Sequence, residues 1–243
     1  MSIENAKTRL FVADALSNGA EIQLTPDHAH FLGNVLRFKV GDRVAVFNEK
    51  YGEWTGPLTA LKKRNALLTL DQQTRDGVAE PGPWLVFAPL KKTRTQMIIE
   101  KATELGVCKL FPVITEHTIG GRVNRDRMAA NALEAAEQCE RLSVPDVHKP
   151  QSLNDLLANW PKDRCLLVGD ETGTGTSIAD IISSKGKKSE DYGILIGPEG
   201  GFKPAELECL KAQEFTVLMD LGTRVLRAET AAIVALACLM ALT

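Results

Sequence analysis

Hydrophobic and polar positions change rhythm once along the chain. Up to about residue 75 they alternate in short stretches, "RLFVA", "RVAVFN", "GEWTGPLTAL" and "NALLTL", separated by Gly, Asn and Asp. Alternation is the mark of a half-buried strand, because successive side chains leave opposite faces of a sheet. One helix interrupts this pattern in "LTPDHAHFLGNVLRF", with Thr25 as N-cap, Pro26 at the first helical position and Asp27 near the positive end of the helix dipole. The pattern predicts a small β-barrel. Residues 75–83, "RDGVAEPGP", read as a linker because charge, Gly and Pro cluster there.

Beyond the linker the apolar runs become nearly continuous: "WLVFAPL", "KLFPVIT", "CLLVGD", "YGILI" and "FTVLMD". Strands covered on both faces read this way, as in parallel sheets. Helical patterns lie between or after them: "TRTQMIIEKATELG" with Gly106 as its stop, "RDRMAANALEAAEQCERL", "AELECLKAQ" and "AETAAIVALACLMALT". Strands alternating with helices predict an α/β domain with a parallel sheet. The expected organisation is a barrel over residues 1–75 and an α/β domain over 76–243.

Composition narrows the function classes. The 243 residues are 44% apolar and 25% charged, the profile of a soluble protein with a real core. The start "MSIENAKTRL" is polar and carries an acid, unlike a secretory signal. The longest apolar run, residues 231–242, is too short to span a bilayer and reads as a buried helix or a subunit interface. Five widely spaced cysteines with no CxxC pair point to the reducing cytoplasm, not to a disulfide framework or a zinc site. The net charge of −2 gives no overall basic footprint, although residues 1–75 hold ten Lys and Arg against eight Asp and Glu. Two local clusters stand out, Lys91, Lys92 and Arg94, then Arg122, Arg125 and Arg127. Solvated faces are the simplest reading of both.

Candidate chemistry gathers in three loops at strand ends: "VGDETGTG" at 168–175, "IGPEGGF" at 196–202 and "MDLGTRVLRAET" at 219–230. Open α/β sheets bind ligands outside the carboxyl ends of their strands. The familiar nucleotide motifs do not fit. Walker A spacing from Gly197 meets Phe202, Lys203 and Pro204, and Pro204 has no hydroxyl for magnesium. A dinucleotide fingerprint from Gly173 and Gly175 meets Ile178 in its third place. His28, His30, His117 and His148 lack metal-ligand spacing, and no nucleophile elbow or Cys–His arrangement is visible. What remains is a pocket of main-chain groups with Glu199, Arg224, Arg227 and Glu229 nearby. With apolar walls such as Leu221 and Leu226, it suits an adenosine-containing ligand.

"IGPEGGF" followed by "LGTRVLRAETA" resembles the RsmE family of the SPOUT methyltransferases. Agreeing stretches are "HFLGNVLRFKVGD", "IEKATELGV", "FPVITE" and "EAAEQCERLSVP", so the resemblance covers nearly the whole chain. It implies transfer of a methyl group from S-adenosylmethionine to N3 of a uridine in 16S ribosomal RNA. It also implies a deep C-terminal trefoil knot, a PUA-like RNA-binding barrel and a cytoplasmic homodimer that acts on the small ribosomal subunit without metal. The implied cofactor site comprises Val168, Gly169, Ile196, Gly197, Pro198, Glu199, Gly200, Gly201, Leu221, Gly222, Val225 and Leu226. The implied catalytic residues are Arg227, Glu229 and Arg224. Arg227 would donate to a uracil oxygen, and Glu229 would take the N3 proton or orient Arg227, unless the two form a structural salt bridge. Arg9, Arg37, Lys62, Lys63, Lys91, Lys92 and Arg94 are the expected RNA contacts. The chain departs from the family pattern at Ala228, in "NEKYGEW" and in "EHTIGGR". A non-catalytic RNA-binding adaptor and a nucleotide-binding regulator are the rival classes.

Overall fold

The computed structural model describes residues 6–118, 123–170 and 172–243. Arg122 and Glu171, both within stretches singled out above, lie outside the described residues. The chain divides into two units, one running to Glu80 together with Ala136–Ser143, the other Pro81–Ala135 together with Val144–Thr243.

The first unit holds β1 (Arg9–Phe11), β2 (Glu21–Leu24), α1 (Pro26–His30), β3 (Arg43–Asn48), β4 (Gly52–Lys62), β5 (Asn65–Thr69) and β6 (Gln72–Arg75). The strand order is β1-β3-β4-β5-β2, with β6 also on β4. β4 serves two partners by length: its first half pairs with β3 and its second with β5. A register shift between Leu58 and Ala60 marks the bend between the two halves. Alternate residues of the strands, Leu10, Ile22, Leu24, Val44, Val46, Leu58, Ala66 and Leu68, meet in one buried cluster. The sheet is thus wrapped around a single core. Among the described residues β1 and β2 do not pair with each other, so a seam remains.

The helix begins as its sequence predicts. The Thr25 hydroxyl accepts from the His28 N–H at 3.1 Å, and Pro26 opens the first turn. Phe31–Val35 continue in wider turns, with the Leu36 N–H donating to the Phe31 carbonyl at 3.0 Å.

The second unit holds β7 (Trp84–Phe87), α2 (Lys92–Glu104), β8 (Lys109–Ile114), α3 (Arg125–Gln138, whose last turn belongs to the first unit), β9 (Asp146–Val147), β10 (Gln151–Ser152) and α4 (Leu153–Ala158). It continues with β11 (Cys165–Gly169), β12 (Thr176–Ser177), α5 (Ile178–Lys185), β13 (Tyr192–Ile196), α6 (Pro204–Lys211), β14 (Thr216–Asp220) and α7 (Ala228–Leu242). Eight strands pair in the order β10-β8-β7-β13-β11-β14-β12, with β9 on β8, and every pairing is parallel. Their continuous apolar runs divide by alternation into two cores. Leu85, Phe87, Leu167, Ile194 and Ile196 face one cluster with residues of α2, α5 and α7. Val86, Leu166, Val168 and Leu195 face the other with α4 and Leu210 of α6.

Two features differ from the periodicity. The helical pattern expected to run to Leu142 stops at Gln138, and Glu140 lies in the left-handed region at φ 61°. Helices α4 and α5, six and eight residues long, are too short to show a period of their own.

Candidate active site

Strands β13, β11 and β14 are neighbours in the sheet and run the same way, so their carboxyl ends open side by side. The three loops leaving them, with the start of α7, enclose a cleft of about 630 Å³. Its lining includes Gly169, Ile196, Gly197, Pro198, Glu199, Gly201, Leu221, Gly222, Val225 and Leu226, and also Arg224 and Arg227.

Each loop is built by local chemistry. In the first, both Asp170 oxygens are occupied: it accepts from the N–H groups of Thr172 and Thr174 at 3.0 and 3.2 Å and from both hydroxyls at 2.8 Å. Burial works against ionisation of Asp170, but these donors outweigh it and hold the carboxyl below its usual range. In the second, Gly201 sits at φ 67° and its N–H closes a turn onto the Pro198 carbonyl at 2.9 Å. A Cβ on Gly197 would stand 2.8 Å from the Phe202 ring, so the ring packs directly on that backbone. In the third, Asp220 accepts from the Gly222 N–H at 3.0 Å.

Several expected residues stand elsewhere. Val168 is completely buried between the sheet and its helices and does not line the cleft, because alternation turns it into the core. Gly200 is also absent from the lining; its carbonyl accepts instead from His117 at 2.9 Å. Glu229 lies in the first turn of α7, only 8% exposed, with Oε2 unpartnered and outside the cleft lining. The expected contact with Arg227 is absent among the described residues. Both Arg224 and Arg227 are exposed on the rim, and among the described residues their guanidinium groups have no hydrogen-bond or ion-pair partner. The third carboxylate of the cleft, Glu199, pairs with Arg94. That assigns Arg94 to the cleft loop and not to the set of unengaged cations.

Arg9, one of the expected RNA contacts, is engaged within the first unit. Its Nε donates to Glu53 at 2.6 Å, its two other nitrogens donate to the carbonyls of Ala136, Glu137 and Arg141, and its guanidinium covers the Phe47 ring at 3.9 Å. Four of its five N–H donors are spent this way, so it is anchored within the first unit. Lys62 and Lys63 are exposed at the β4–β5 turn, where Arg64 adds a third exposed cation. Arg37 is exposed at φ 59°, and Lys91 and Lys92 are exposed at the start of α2.

The cleft fits S-adenosylmethionine in kind. Main-chain groups reachable past glycine, apolar walls at Ile196, Met219, Leu221 and Leu226, and a size suited to a nucleoside-containing ligand come together. Among the described residues no group of three or more His, Cys, Asp or Glu could hold a metal ion, and no helix is long and apolar enough to cross a membrane.

A family model described as an RNA methyltransferase domain matches residues 81–240, and one described as an RNA methyltransferase PUA domain matches residues 24–71. The ribosomal RNA small subunit methyltransferase E of Rickettsia conorii is 34% identical over 94% of this chain and 93% of that protein. The protein of the same name from Bacillus subtilis is 30% identical over 89% and 88%. The solved structure of a ribosomal RNA small subunit methyltransferase E from Neisseria gonorrhoeae bound to S-adenosyl methionine matches with TM-score 0.85 at 26% identity, covering 97% of each chain. A protein from Legionella pneumophila, solved in complex with the bound cofactor SAM, matches with TM-score 0.82 at 26% identity over 96% of this chain and 97% of that one.

Proposed function

The chain belongs to the RNA methyltransferase family, and we propose that it methylates N3 of a uridine in the 16S RNA of the small ribosomal subunit, with S-adenosylmethionine as donor. The observation that carries this reading is the pairing of a glycine-lined cleft with two unengaged arginines, Arg224 and Arg227, on its rim.

When bound there, S-adenosylmethionine supplies a methyl group already activated on a cationic sulfonium. The uracil N3 becomes nucleophilic only as its imide proton passes to solvent water, which drives negative charge toward the two carbonyl oxygens. Arg227, with Arg224 beside it, is suited to donate to those oxygens because a guanidinium is fixed in charge and forked. Such stabilisation strengthens as the charge develops, which is what lowers a barrier. Glu229 serves this reading as a buried support of α7, since its carboxylate is outside the cleft lining.

The same reading assigns RNA binding to the first unit, with Arg37, Lys62, Lys63 and Arg64 contacting phosphates, and adds Lys91 and Lys92 from the second. It includes a trefoil knot. It includes a cytoplasmic location and a homodimer, and the exposed apolar side chains of Met240 and Leu242 on α7 support the second of these.

The test is incubation with small ribosomal subunits and methyl-labelled S-adenosylmethionine, followed by nucleoside mass analysis of the digested RNA. N3-methyluridine is the expected product. Label on another base overturns the uridine assignment, and RNA bound without label favours the adaptor class.

A further inference from the structure

The turn that follows β8 is tied to the glycine loop at several points. The turn is itself locked: the Thr118 N–H donates to the Thr115 carbonyl at 3.1 Å, and the Thr118 hydroxyl accepts from the Thr115 N–H at 2.9 Å. His117, at its tip, places Nδ1 2.9 Å from the Gly200 carbonyl and 3.1 Å from the Gly201 carbonyl. Both partners are acceptors, so Nδ1 carries the proton and donates to the pair. A Cβ on Gly200 would lie 3.2 Å from the His117 Cβ, so the side chain rests on the Gly200 backbone. Glu206 accepts from the Lys203 N–H at 2.9 Å with one oxygen and from the Glu116 N–H at 3.0 Å with the other. The Lys203 ammonium meets the Glu116 carboxylate at 2.7 Å.

We propose that His117 is a positioning residue for the methyl-donor loop, holding the Gly200 and Gly201 carbonyls so that the loop keeps its binding shape before the ligand arrives. The proposal rests on the reading of the cleft as the S-adenosylmethionine site. In a trans peptide the carbonyl and the following N–H point in opposite directions, so fixing two successive carbonyls fixes two peptide planes. Gly201, at φ 67° in the cleft lining, joins those planes. Two adjacent glycines have more backbone freedom than any other pair, and an untethered loop would lose that freedom only on binding. The Glu116–Lys203 pair is exposed and screened and touches the chain beyond the glycines, whereas His117 bonds the glycine carbonyls themselves.

Three variants separate this role from simple packing. His117→Asn sets an amide N–H where Nδ1 stands, His117→Gln sets one where Nε2 stands, and His117→Ala removes the donor. S-adenosylmethionine affinity is measured by calorimetry, and amide hydrogen exchange over residues 197–203 is followed in the ligand-free protein. Ala and Gln are expected to weaken binding roughly five- to tenfold, the scale of one hydrogen bond, and to speed exchange, while Asn restores both. In steady state the loss should fall on the KM for S-adenosylmethionine, with kcat changed by no more than about twofold. Unchanged affinity in His117→Ala, or equal loss in all three variants, overturns the role. If the unaltered protein binds no S-adenosylmethionine yet exchange still orders Ala and Gln above Asn, the clasp is upheld and the cofactor reading is what fails.

Discussion

The Arg94 guanidinium closes on the Glu199 carboxylate, joining the first turn of α2 to the middle of the glycine loop. The side chains are 27% and 37% exposed, so water screens the pair and its contribution to stability is on the order of 1 kcal/mol or less. Its larger effect is on the charge of the cleft, because it neutralises a carboxylate that would otherwise oppose Arg224 and Arg227. Arg94→Ala should therefore raise the KM for RNA while barely moving the melting temperature. Adding Glu199→Gln should restore the KM, a coupling that steady-state kinetics on the double variant measures directly.

Gly201→Val should abolish detectable S-adenosylmethionine binding in a protein that still folds. A β-branched residue is a severe misfit at a φ of 67°, and Gly201 both lines the cleft and closes the turn onto Pro198. Circular dichroism checks the fold and calorimetry the affinity. An unaltered affinity would remove this loop from the site.

Arg227→Ala should lower kcat for methyl transfer by roughly a hundredfold, the usual scale for losing one donor to developing charge. Melting temperature and S-adenosylmethionine affinity should change little, because the guanidinium has no partner among the described residues to lose. A variant that instead unfolds would identify Arg227 as structural, and Arg227→Lys should recover only part of the rate.

The parallel sheet was readable because strands covered on both faces must be apolar throughout, and "YGILI" and "CLLVG" are. The cleft loops were readable for a related reason: glycine and proline end those runs abruptly. The partners of the loops were not. His117 and Arg94 reach the glycine loop from 83 and 105 positions away in the chain, and neither carries a local pattern that announces it. Arg9 was visible as a charge, but its burial depends on carbonyls about 130 positions later. Val168 shows the opposite limit. It stands beside the right loop, and alternation points it the wrong way.

Acid should loosen the first unit through Glu80. Its Oε2 accepts from the Ser143 hydroxyl at 2.7 Å and from the N–H groups of Ser143 and Leu142 at 3.0 and 3.2 Å. Burial raises the pKa of this carboxyl, but those donors and Arg141 outweigh it, so the folded value is depressed. A depressed carboxylate adds stability above its unfolded pKa of about 4.3, and that stability is lost as pH falls through the folded value. Thermal unfolding from pH 7 to 3 should show Glu80→Gln less stable than the unaltered chain at neutral pH, with the difference shrinking below about pH 4. A constant difference would mean that the charge of Glu80 is not what holds residues 142 and 143.

A chain is delivered to its surroundings from the amino end, and domains tend to fold in the order they emerge. The first unit cannot follow that order to completion. When Glu80 has been made, the carbonyls of Ala136, Glu137 and Arg141 that hold Arg9 do not yet exist, and neither does Ser143, the partner of Glu80. Its full set of contacts can form only after the opening stretch of its neighbour has been synthesised. Anyone wishing to move it into another protein as a portable module would have to carry residues 136–143 with it.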